Sequence, residues 1–589
     1  MGQQPSRTAD DEVPIATGGG ASSSFYGIYN FLLGCAAPCS DASTESTGSL
    51  AKVVQHCCIS SEREGVLELV EQHRVIGDGV NLIEEEAWVT WTSPRALDTG
   101  AGQRSKLLVR PERDRRFQEL YALDKQVGEG SFGNVYKAHA INASDVPVAV
   151  KVFSLASPIA SPQAKVESEE ARRKLASFFG ECAMLSRLDH PHIVRMHESF
   201  QSASELHLVL EMCQGGELYA LLVKKIKEDD GLEESVSQIF FRQMLQAVGY
   251  LHGRRIVHRD VKPENFLVSG SSDRLEDVVL KLCDFGTATV LTDQRPRSLV
   301  NIGTLSYTAP EVYQRKGADL PADIWSLGVV LYVILTGTNP FRNSKDATKQ
   351  ETVRKIKAGM FATQRPGWLK VSPGGQDIVR KLLVLPEDQR LTCSQALQHA
   401  WVAGAKQTFG NAEARALAVT VVRVLQQMLK LQLPQRNALF ACAMGATEAN
   451  LPQPSAWRSL FLLLDADNDG RLSIEECTVG LRRLAGAEVT YEHLRMAVKA
   501  CDLDGNGVLD WAEWLCIGLL TVTKLAEAGL VVELAQRLLS RMCTTGQSEV
   551  VLEIWKTAQQ LSSDKEVRGV PLSLNDLCLV LHSCQEAMI

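Results

Sequence analysis

No run of about eighteen apolar residues occurs in this chain of 589 residues, so no transmembrane helix is expected. The apolar stretch Leu327 to Leu335 is too short to span a bilayer and reads as a buried helix. An excess of positive charge is also missing. Lys and Arg total 62 against 70 Asp and Glu, a net charge of -8, and no basic patch carries interleaved aromatics. That balance excludes a nucleic-acid-binding surface. Paired cysteine spacing is lacking as well. The 15 cysteines are scattered, and neither Cys57-Cys58 nor Cys35 with Cys39 is followed by a Cys/His pair at ligand spacing. This excludes a zinc set and fits a reducing compartment.

Basic residues are nearly absent from the start of the chain, where Arg7 stands alone in the first 50 positions and no polybasic membrane patch can form. Those positions are rich in Gly, Ser and Ala, and disorder is expected there. Residues 51–117 hold apolar patches such as Val66-Leu67 and Trp88 to Trp91 without a recognisable pattern, so 1–117 is read as an N-terminal extension. Met1-Gly2-Gln3-Gln4-Pro5-Ser6 fits M-G-x-x-x-[ST], the signal for N-myristoylation of Gly2. One acyl chain binds a membrane only weakly, and Cys35 and Cys39 beside the apolar run Phe25 to Leu33 are candidate sites for a second. The expected location is the cytoplasm with reversible membrane contact. The length allows three to four domains, and a hydrophobic content of 45% is ordinary for globular proteins.

The most informative stretch is His258-Arg259-Asp260-Val261-Lys262-Pro263-Glu264-Asn265, which spells H-R-D-x-K-P-x-N. Phosphoryl transfer needs a carboxylate for the attacking hydroxyl, a cation near the γ-phosphate and a metal ligand, and Asp260, Lys262 and Asn265 supply these groups within six positions. The stretch resembles the catalytic loop of the eukaryotic protein kinases. The remaining pieces of that pattern follow in order. Gly128-Glu129-Gly130-Ser131-Phe132-Gly133-Asn134-Val135 fits the glycine-rich turn, whose missing side chains let backbone lie over phosphates. Val148-Ala149-Val150-Lys151 is an apolar strand ending in the lysine that the family uses to hold the α- and β-phosphates. Its carboxylate partner is expected to be Glu181, which shares a helical face with Leu185 and Leu188 and precedes His190-Pro191-His-Ile-Val. The competing Glu167, Glu169 and Glu170 fall in a Ser/Pro/Glu-rich insertion, Ser154 to Lys174, read as loop and a lead-in turn.

Asp284-Phe285-Gly286 supplies a Mg²⁺ carboxylate, and Ala309-Pro310-Glu311 closes the activation segment. In this family the last glutamate pairs with a distant arginine, here Arg390, and Asp323 supports the catalytic loop from behind; both are structural assignments. Glu211 and Cys213 stand at the hinge after the strand Leu206 to Leu210, with Leu210 at the back of the nucleotide pocket. Lys262-Pro263-Glu264 indicates, by resemblance, a serine/threonine kinase. Glu217 and Glu264 stand where relatives read arginines upstream of the target residue, a pairing that carboxylates make by bidentate hydrogen bonds. In the activation segment, Thr287 to Thr308, Thr292, Ser298 and Thr304 are the hydroxyls within reach of phosphorylation, Arg259 is the cation that would pair a phosphate there, and Thr304 is expected to pack on the catalytic loop. The sequence leaves open whether activation needs that phosphate.

A second signal follows the kinase pattern. Asp465, Asp467, Asp469, Gly470, Arg471 (through its carbonyl) and Glu476 fall on positions 1, 3, 5, 6, 7 and 12 of a calcium loop, 465–476. Asp502, Asp504, Asn506, Gly507, Val508 and Glu513 repeat the spacing over 502–513. Leu472 and Leu509 at position 8 favour the short strand pairing that couples two such loops. The order of a kinase, a junction and a calcium-binding module resembles the calcium-dependent protein kinases of plants and alveolate protists. The resemblance implies a multidomain α+β chain: a bilobal kinase fold over 118–401, a junction over 402–451, and an all-α EF-hand (calmodulin-like) module over 452–589. Relatives carry four calcium loops. Here the helix–loop–helix segments after Thr523, around Cys543 to Gly546 and Asp564 to Asp576, lack oxygen ligands and are read as degenerate, so two ions are expected.

The junction shows a helical apolar stripe, Leu417, Val421, Val424, Leu425, Met428 and Leu431, within a helix expected over 414–444 and broken or kinked at Pro434. In relatives such a segment blocks the substrate cleft until calcium exposes a groove that captures it. Its few basic residues, Arg415, Arg423, Lys430 and Arg436, argue for steric inhibition and against a pseudosubstrate. The expected activity is calcium-regulated transfer of the ATP γ-phosphate to Ser/Thr of protein substrates, with Mg²⁺ and Ca²⁺ as ions and a monomeric chain. A constitutive kinase with purely structural calcium loops and a calcium-sensing adaptor are the alternatives.

Overall fold

The computed structural model describes residues 117–521, apart from 131–132, 142, 155–164, 202–204, 230–231, 270–273, 299–302, 343–347, 406–409, 431–450, 452, 487–488 and 504. Gly2, Cys35, Cys39, Ser131, Asp504, Leu431, Arg436, the extension before Phe117 and the two degenerate units after Thr521 lie outside the described residues. All described residues belong to one compact unit, Gly79–Ile589.

An antiparallel sheet of order β1-β2-β3-β5-β4 comes first: β1 (Tyr121–Gly130), β2 (Gly133–Ala140), β3 (Ala143–Ser154), β4 (Met196–Gln201) and β5 (Glu205–Glu211). Period-two alternation sorts β3 into two faces. Val148, Val150 and Val152 join Phe117, Tyr121, Ala138, Phe200 and Val209 in a buried cluster. Ala149 and Lys151 point the other way, and register brings Val135 opposite Lys151 and Leu210 opposite Ala149. The nucleotide face is thereby lined by residues two apart on adjacent strands.

Helix α1 (Lys165–Leu185) lies against this sheet. The loop expected before Lys174 is a correction: Glu167, Glu169 and Glu170 are helical. Lys, Glu, Ala, Arg and Leu from Lys165 onward are strong helix formers, and Glu169 with Arg173 and Glu170 with Lys174 have the favourable i,i+4 order. Leu188, expected on the same helical face, falls beyond the helix end and is buried in the following turn.

The second lobe contains α2 (Leu218–Asp229), α3 (Glu234–Gly253), the short strands β6 (Ile256–Val257), β7 (Phe266–Ser269), β8 (Val279–Leu282) and β9 (Thr289–Val290), then α4 (Leu320–Thr336), α5 (Lys349–Lys357) and α6 (Pro373–Leu382). Helix α4 is buried from Ala322 to Tyr332 and is apolar over that stretch apart from Asp323 and Ser326. It begins with the Asp319 carboxylate accepting from the Leu320 amide at 2.7 Å and ends at Gly337, whose φ of 66° suits glycine. Beside it Arg390 makes a bidentate pair with Glu311, at 2.6 and 2.8 Å, and lies over the Trp325 ring at 5.0 Å. Removing one partner of a buried pair strands the other charge. Arg390→Met is expected to cost about 3–5 kcal/mol, measured as a lowered thermal midpoint; an unchanged midpoint would discard this role.

The junction helix α7 (Asn411–Met428) packs against four helices: α8 (Pro454–Leu464), α9 (Ile474–Ala485), α10 (Tyr491–Lys499) and α11 (Trp511–Leu519). It starts three residues before the expected Ala414, and no described residue beyond Met428 continues it. Val421, Val424, Leu425 and Met428 are buried as the stripe requires, Leu417 is half-buried, and Ala414, Ala418 and Val422 widen the buried face. Its apolar side is thus turned into these four helices. Two helix–loop–helix units, α8 to α9 and α10 to α11, are joined by an antiparallel pairing of β10 (Leu472–Ser473) with β11 (Val508–Leu509), with Leu472 opposite Leu509.

Candidate active site

Lys151, Glu181 and Asp284 arrive from β3, α1 and the turn after β8. The Lys151 ammonium lies 2.7 Å from Glu181 Oε2 and 3.3 Å from Asp284 Oδ1. Burial disfavours charge on Lys151, but Glu181 and Asp284 outweigh it and hold the amine protonated, above its usual range. Burial likewise works against Asp284, and Lys151 with His258 still draws its carboxyl below the ordinary value. Asp284 adopts φ 60°, ψ 74°, a left-handed backbone that turns Phe285 inward beneath His258, their rings 5.1 Å apart. α1 is therefore swung in, with the lysine–glutamate pair closed.

The catalytic-loop residues converge on the same place. Lys262 donates to Asp260 Oδ2 at 2.6 Å and to Thr304 Oγ1 at 3.0 Å. The amide and the hydroxyl of Thr304 donate to Asp260 Oδ1 at 2.9 and 2.8 Å. Asn265 Nδ2 donates to the Asp260 carbonyl at 2.7 Å, fixing the loop's return. Thr304 thus packs on the catalytic loop as expected from its sequence position. Behind the loop, buried Asp323 accepts from the amides of His258 (2.8 Å) and Arg259 (2.9 Å) and lies 3.1 Å from His252 Nε2. The donor set suits a magnesium–nucleotide in kind: one carboxylate (Asp284), one amide side chain (Asn265) and two ammonium groups, Lys151 and Lys262.

Gly128 and Val135 pair across the β1–β2 turn, the position of the glycine-rich loop, with Glu129 opposite Asn134 and Gly130 opposite Gly133. At the hinge, Glu211 and Cys213 are buried. The Glu211 side chain lies 3.0 Å from Lys281 and accepts from the Arg195 amide at 2.8 Å, and its own amide donates to the Arg195 carbonyl at 2.9 Å. Glu217 is exposed at the start of α2. Glu264 is half-buried, and burial followed by neighbouring Glu217 and Asp260 raises its carboxyl pKa against the pull of Lys262. Its Oε2 is buried without a hydrogen-bond partner among the described residues.

In the first acidic loop, ligand atoms of Asp465, Asp467 and Glu476 lie within 4.8 Å of one another. Asp465 accepts from the amides of Asp469 (3.1 Å) and Gly470 (3.0 Å), while Glu476 accepts from those of Ala466 (3.1 Å) and Asp467 (3.3 Å). Burial and the crowding of Asp469, Asp467 and Glu476 push Asp465 up to about 8. Carboxylates compressed in this way fit a hard cation with oxygen ligands. The second loop repeats the arrangement. Asp502 accepts from Asn506 and Gly507, each at 3.0 Å, and Glu513 accepts from Leu503 at 2.7 Å. Gly470 and Gly507 take φ 80° and 87° at the sharp turn.

Sequence reasoning did not anticipate that these loops rest on the kinase. Asp189 accepts from the Ala512 amide, at the N-terminus of α11, at 2.6 Å. Arg254 lies 3.6 Å over the Tyr250 ring and donates to the Asp469 carbonyl at 3.5 Å. A Cβ on Gly470 would meet Tyr250 at 2.4 Å and His190 at 2.7 Å, so the turn of the first loop lies flush on α3. Contacts between residues hundreds of positions apart leave no local signal; only the run Asp189-His190 and the glycine at position 6 mark them.

Comparison with known proteins agrees with this geometry. A family profile described as Protein kinase domain matches residues 121–402. The chain is 31% identical over 437 residues to Calcium-dependent protein kinase 9 of Oryza sativa subsp. japonica, covering 72% of this chain and 70% of that protein. It is 30% identical over 424 residues to Calcium-dependent protein kinase 32 of Arabidopsis thaliana, covering 71% and 72%. It is 28% identical over 404 residues to Calcium-dependent protein kinase 3 of Plasmodium yoelii yoelii, covering 68% and 69%. A protein kinase domain uses ATP with Mg²⁺ and acts on protein substrates. The chain belongs to the calcium-dependent protein kinase family.

Proposed function

We propose that this chain transfers the ATP γ-phosphate to Ser/Thr hydroxyls of proteins under calcium control. The closed Lys151–Glu181 pair in register with Asp284 and the Asp260 cluster carries the kinase reading. Asp260 orients the substrate hydroxyl and accepts its proton. Lys262 and Lys151 neutralise phosphate charge, and Asp284 and Asn265 are the residues that would hold Mg²⁺, which would supply further charge neutralisation on the phosphate oxygens. Gly128, Glu129, Gly130, Gly133 and Val135 form the roof of the nucleotide site, Ala149 its upper wall, and Glu211 and Cys213 the hinge; Ser131 is assigned to nucleotide binding by the sequence motif alone.

The calcium reading takes α8 to α11 as an EF-hand pair binding two ions, through Asp465, Asp467, Asp469, Arg471 and Glu476 and through Asp502, Asp504, Asn506, Val508 and Glu513. The packing of α7 against these helices supports capture of the junction by the module; without calcium the junction is released toward the substrate cleft. Phosphate transfer to a Ser peptide, titrated with free calcium at fixed Mg²⁺, is expected to rise steeply. Flat activity across the titration would discard calcium control and keep the kinase.

Glu217 and Glu264 are proposed to read arginine upstream of the target Ser/Thr. The buried, unpartnered Glu264 Oε2 supports this, because a guanidinium would complete its hydrogen bonding. Glu264→Gln is expected to lower kcat/KM for an arginine-containing peptide by about 10-fold or more, the value of a charged hydrogen bond, and to leave an Arg-to-Ala peptide unaffected. Equal losses on both peptides would refute the recognition. The same reading takes Gly2 as acylated and the enzyme as a cytoplasmic monomer with reversible membrane contact.

A further inference from the structure

A cleft of about 990 Å³ opens where three parts of the chain meet. Its floor is one face of kinase helix α3, with Ile239, Arg242 and Gln246 at helical spacing. The junction helix α7 forms one wall through Ala416 and Leu417, and α8 forms the other through Leu462 and Leu463. Lys151, Asp260 and Asp284 are not among its lining residues, so it is separate from the phosphotransfer site. Its volume lies at the upper end of the range of small-molecule sites, about 300–1,000 Å³.

The polar groups in this cleft divide into engaged and unengaged. Gln243 is engaged: it donates to the Val278 carbonyl at 2.9 Å and accepts from the Leu280 amide at 2.7 Å. Gln246 is 5% exposed, and its side-chain amide makes no hydrogen bond among the described residues. His192, 2% exposed, also lines the cleft. Its Nδ1 lies 2.9 Å from the Leu280 carbonyl, which places the proton there and leaves Nε2 an acceptor without a partner among the described residues. Burial and neighbouring Arg458 keep that ring neutral. Arg242 is half-buried, and burial lowers its guanidinium with no acid beside it to offset the effect. The acids at the rim have partners. Glu276 and Asp277 face Arg274 at 4.0 and 3.8 Å, Glu413 accepts from the Gly410 amide at 3.1 Å, and Asp465 holds two amides of its own loop. A desolvated cation with no counter-charge is costly, and an arriving anion removes that cost.

We propose that this cleft is a binding site for a small amphipathic organic carboxylate. Its carboxylate pairs with Arg242, whose planar fork suits two oxygens at once. A hydroxyl elsewhere on the ligand meets the open hydrogen-bonding groups of Gln246 and His192. The apolar body lies between Leu417 of the junction and Leu462 of α8. A singly charged anion matches the one guanidinium that burial leaves without an acid. Because floor and walls come from the catalytic lobe, the junction and the acidic-loop module, the ligand meets its full set of contacts only when all three are packed as they are here. The site stands apart from the phosphotransfer reading, and its test reads binding alone.

The probe is 6-hydroxy-2-naphthoate, titrated by calorimetry into the full chain at saturating calcium. A non-hydrolysable ATP analogue with Mg²⁺ fills the nucleotide site throughout. One saturable site with a dissociation constant of about 1 mM or tighter is expected. On wild type, 2-naphthol, which lacks the carboxylate, is expected to bind at least about 10-fold more weakly, the value of a hydrogen bond to a charged group. Arg242→Met is expected to weaken the acid by the same factor and to leave 2-naphthol unchanged. Ala416→Trp fills the cleft from the junction side and is expected to abolish binding of both compounds, with thermal midpoints of the two variants close to wild type. No saturable binding at a few millimolar overturns the proposal. Equal affinity for the acid and for 2-naphthol overturns it without any variant. Wild-type affinity for the acid in either variant places the site elsewhere and overturns it as well. A chain that binds the acid through Arg242 yet transfers no phosphate would sink the kinase reading and leave this one standing.

Discussion

Asp260→Asn is expected to lower kcat by about 10²- to 10⁴-fold, the usual contribution of a general base, while calcium binding and fold remain. Asparagine has the shape of aspartate. Its carbonyl can still accept from the Thr304 amide and hydroxyl, which now meet Asp260 Oδ1 at 2.9 and 2.8 Å. The other terminus becomes an NH₂ group that cannot accept from Lys262, now 2.6 Å away, and cannot take a proton from a substrate hydroxyl. The loss therefore falls on kcat, with KM for ATP little changed, since Lys151, Glu181 and Asp284 are untouched. Steady-state kinetics on a Ser peptide with a calcium-binding isotherm as control decides it. A kcat within about tenfold of wild type would remove Asp260 from the proton-accepting role.

Glu476→Gln together with Glu513→Gln is expected to abolish calcium stimulation and leave a folded enzyme. Position 12 supplies two oxygens at once, and Gln offers one oxygen and no charge. The Gln oxygen can still accept the amides that meet Oε1, those of Ala466 and Asp467 at Glu476 and that of Leu503 at Glu513, while the Ser473 and Asp510 amides lose Oε2 as acceptor. The loops should therefore keep their shape and lose affinity roughly hundredfold or more, since ligand charge count sets affinity over several decades. The readout is the ratio of activity with and without calcium, which should fall to about one, beside an unfolding midpoint without calcium that stays put. A double variant that responds fully would make the loops structural.

The chemistry was legible because it is local. H-R-D-x-K-P-x-N puts Asp260, Lys262 and Asn265 on one loop, and two twelve-residue acidic repeats carry their own spacing. Glu181 does lie 2.7 Å from Lys151, although one of the two helical positions that singled it out, Leu188, falls past the helix end and its three rivals are helical too. The same reading shortened α1, because the Ser and Pro residues before Lys165 were allowed to colour the charged, helix-forming run after it. The bond from Arg259 Nη1 to the Ser298 hydroxyl was legible only as one of three possibilities, since the choice depends on how the segment folds back to Ala318. The seating of the acidic loops on α3 was not legible, because nothing local couples Asp189 to Ala512.

That seating has a thermodynamic corollary. Asp189 accepts from an amide at the start of the helix that carries Glu513, and Arg254 touches the carbonyl of a first-loop position, so the kinase surface is part of the environment of both acidic loops. Linkage is reciprocal: whatever free energy calcium adds to this docking, docking adds to calcium affinity. The enzyme body is then a tuning element of its own sensor. A titration of residues 452–589 severed from the catalytic lobes measures a different equilibrium from the one the whole chain uses. The threshold at which the enzyme responds is a property of the intact polypeptide, distributed across the boundary between its two parts.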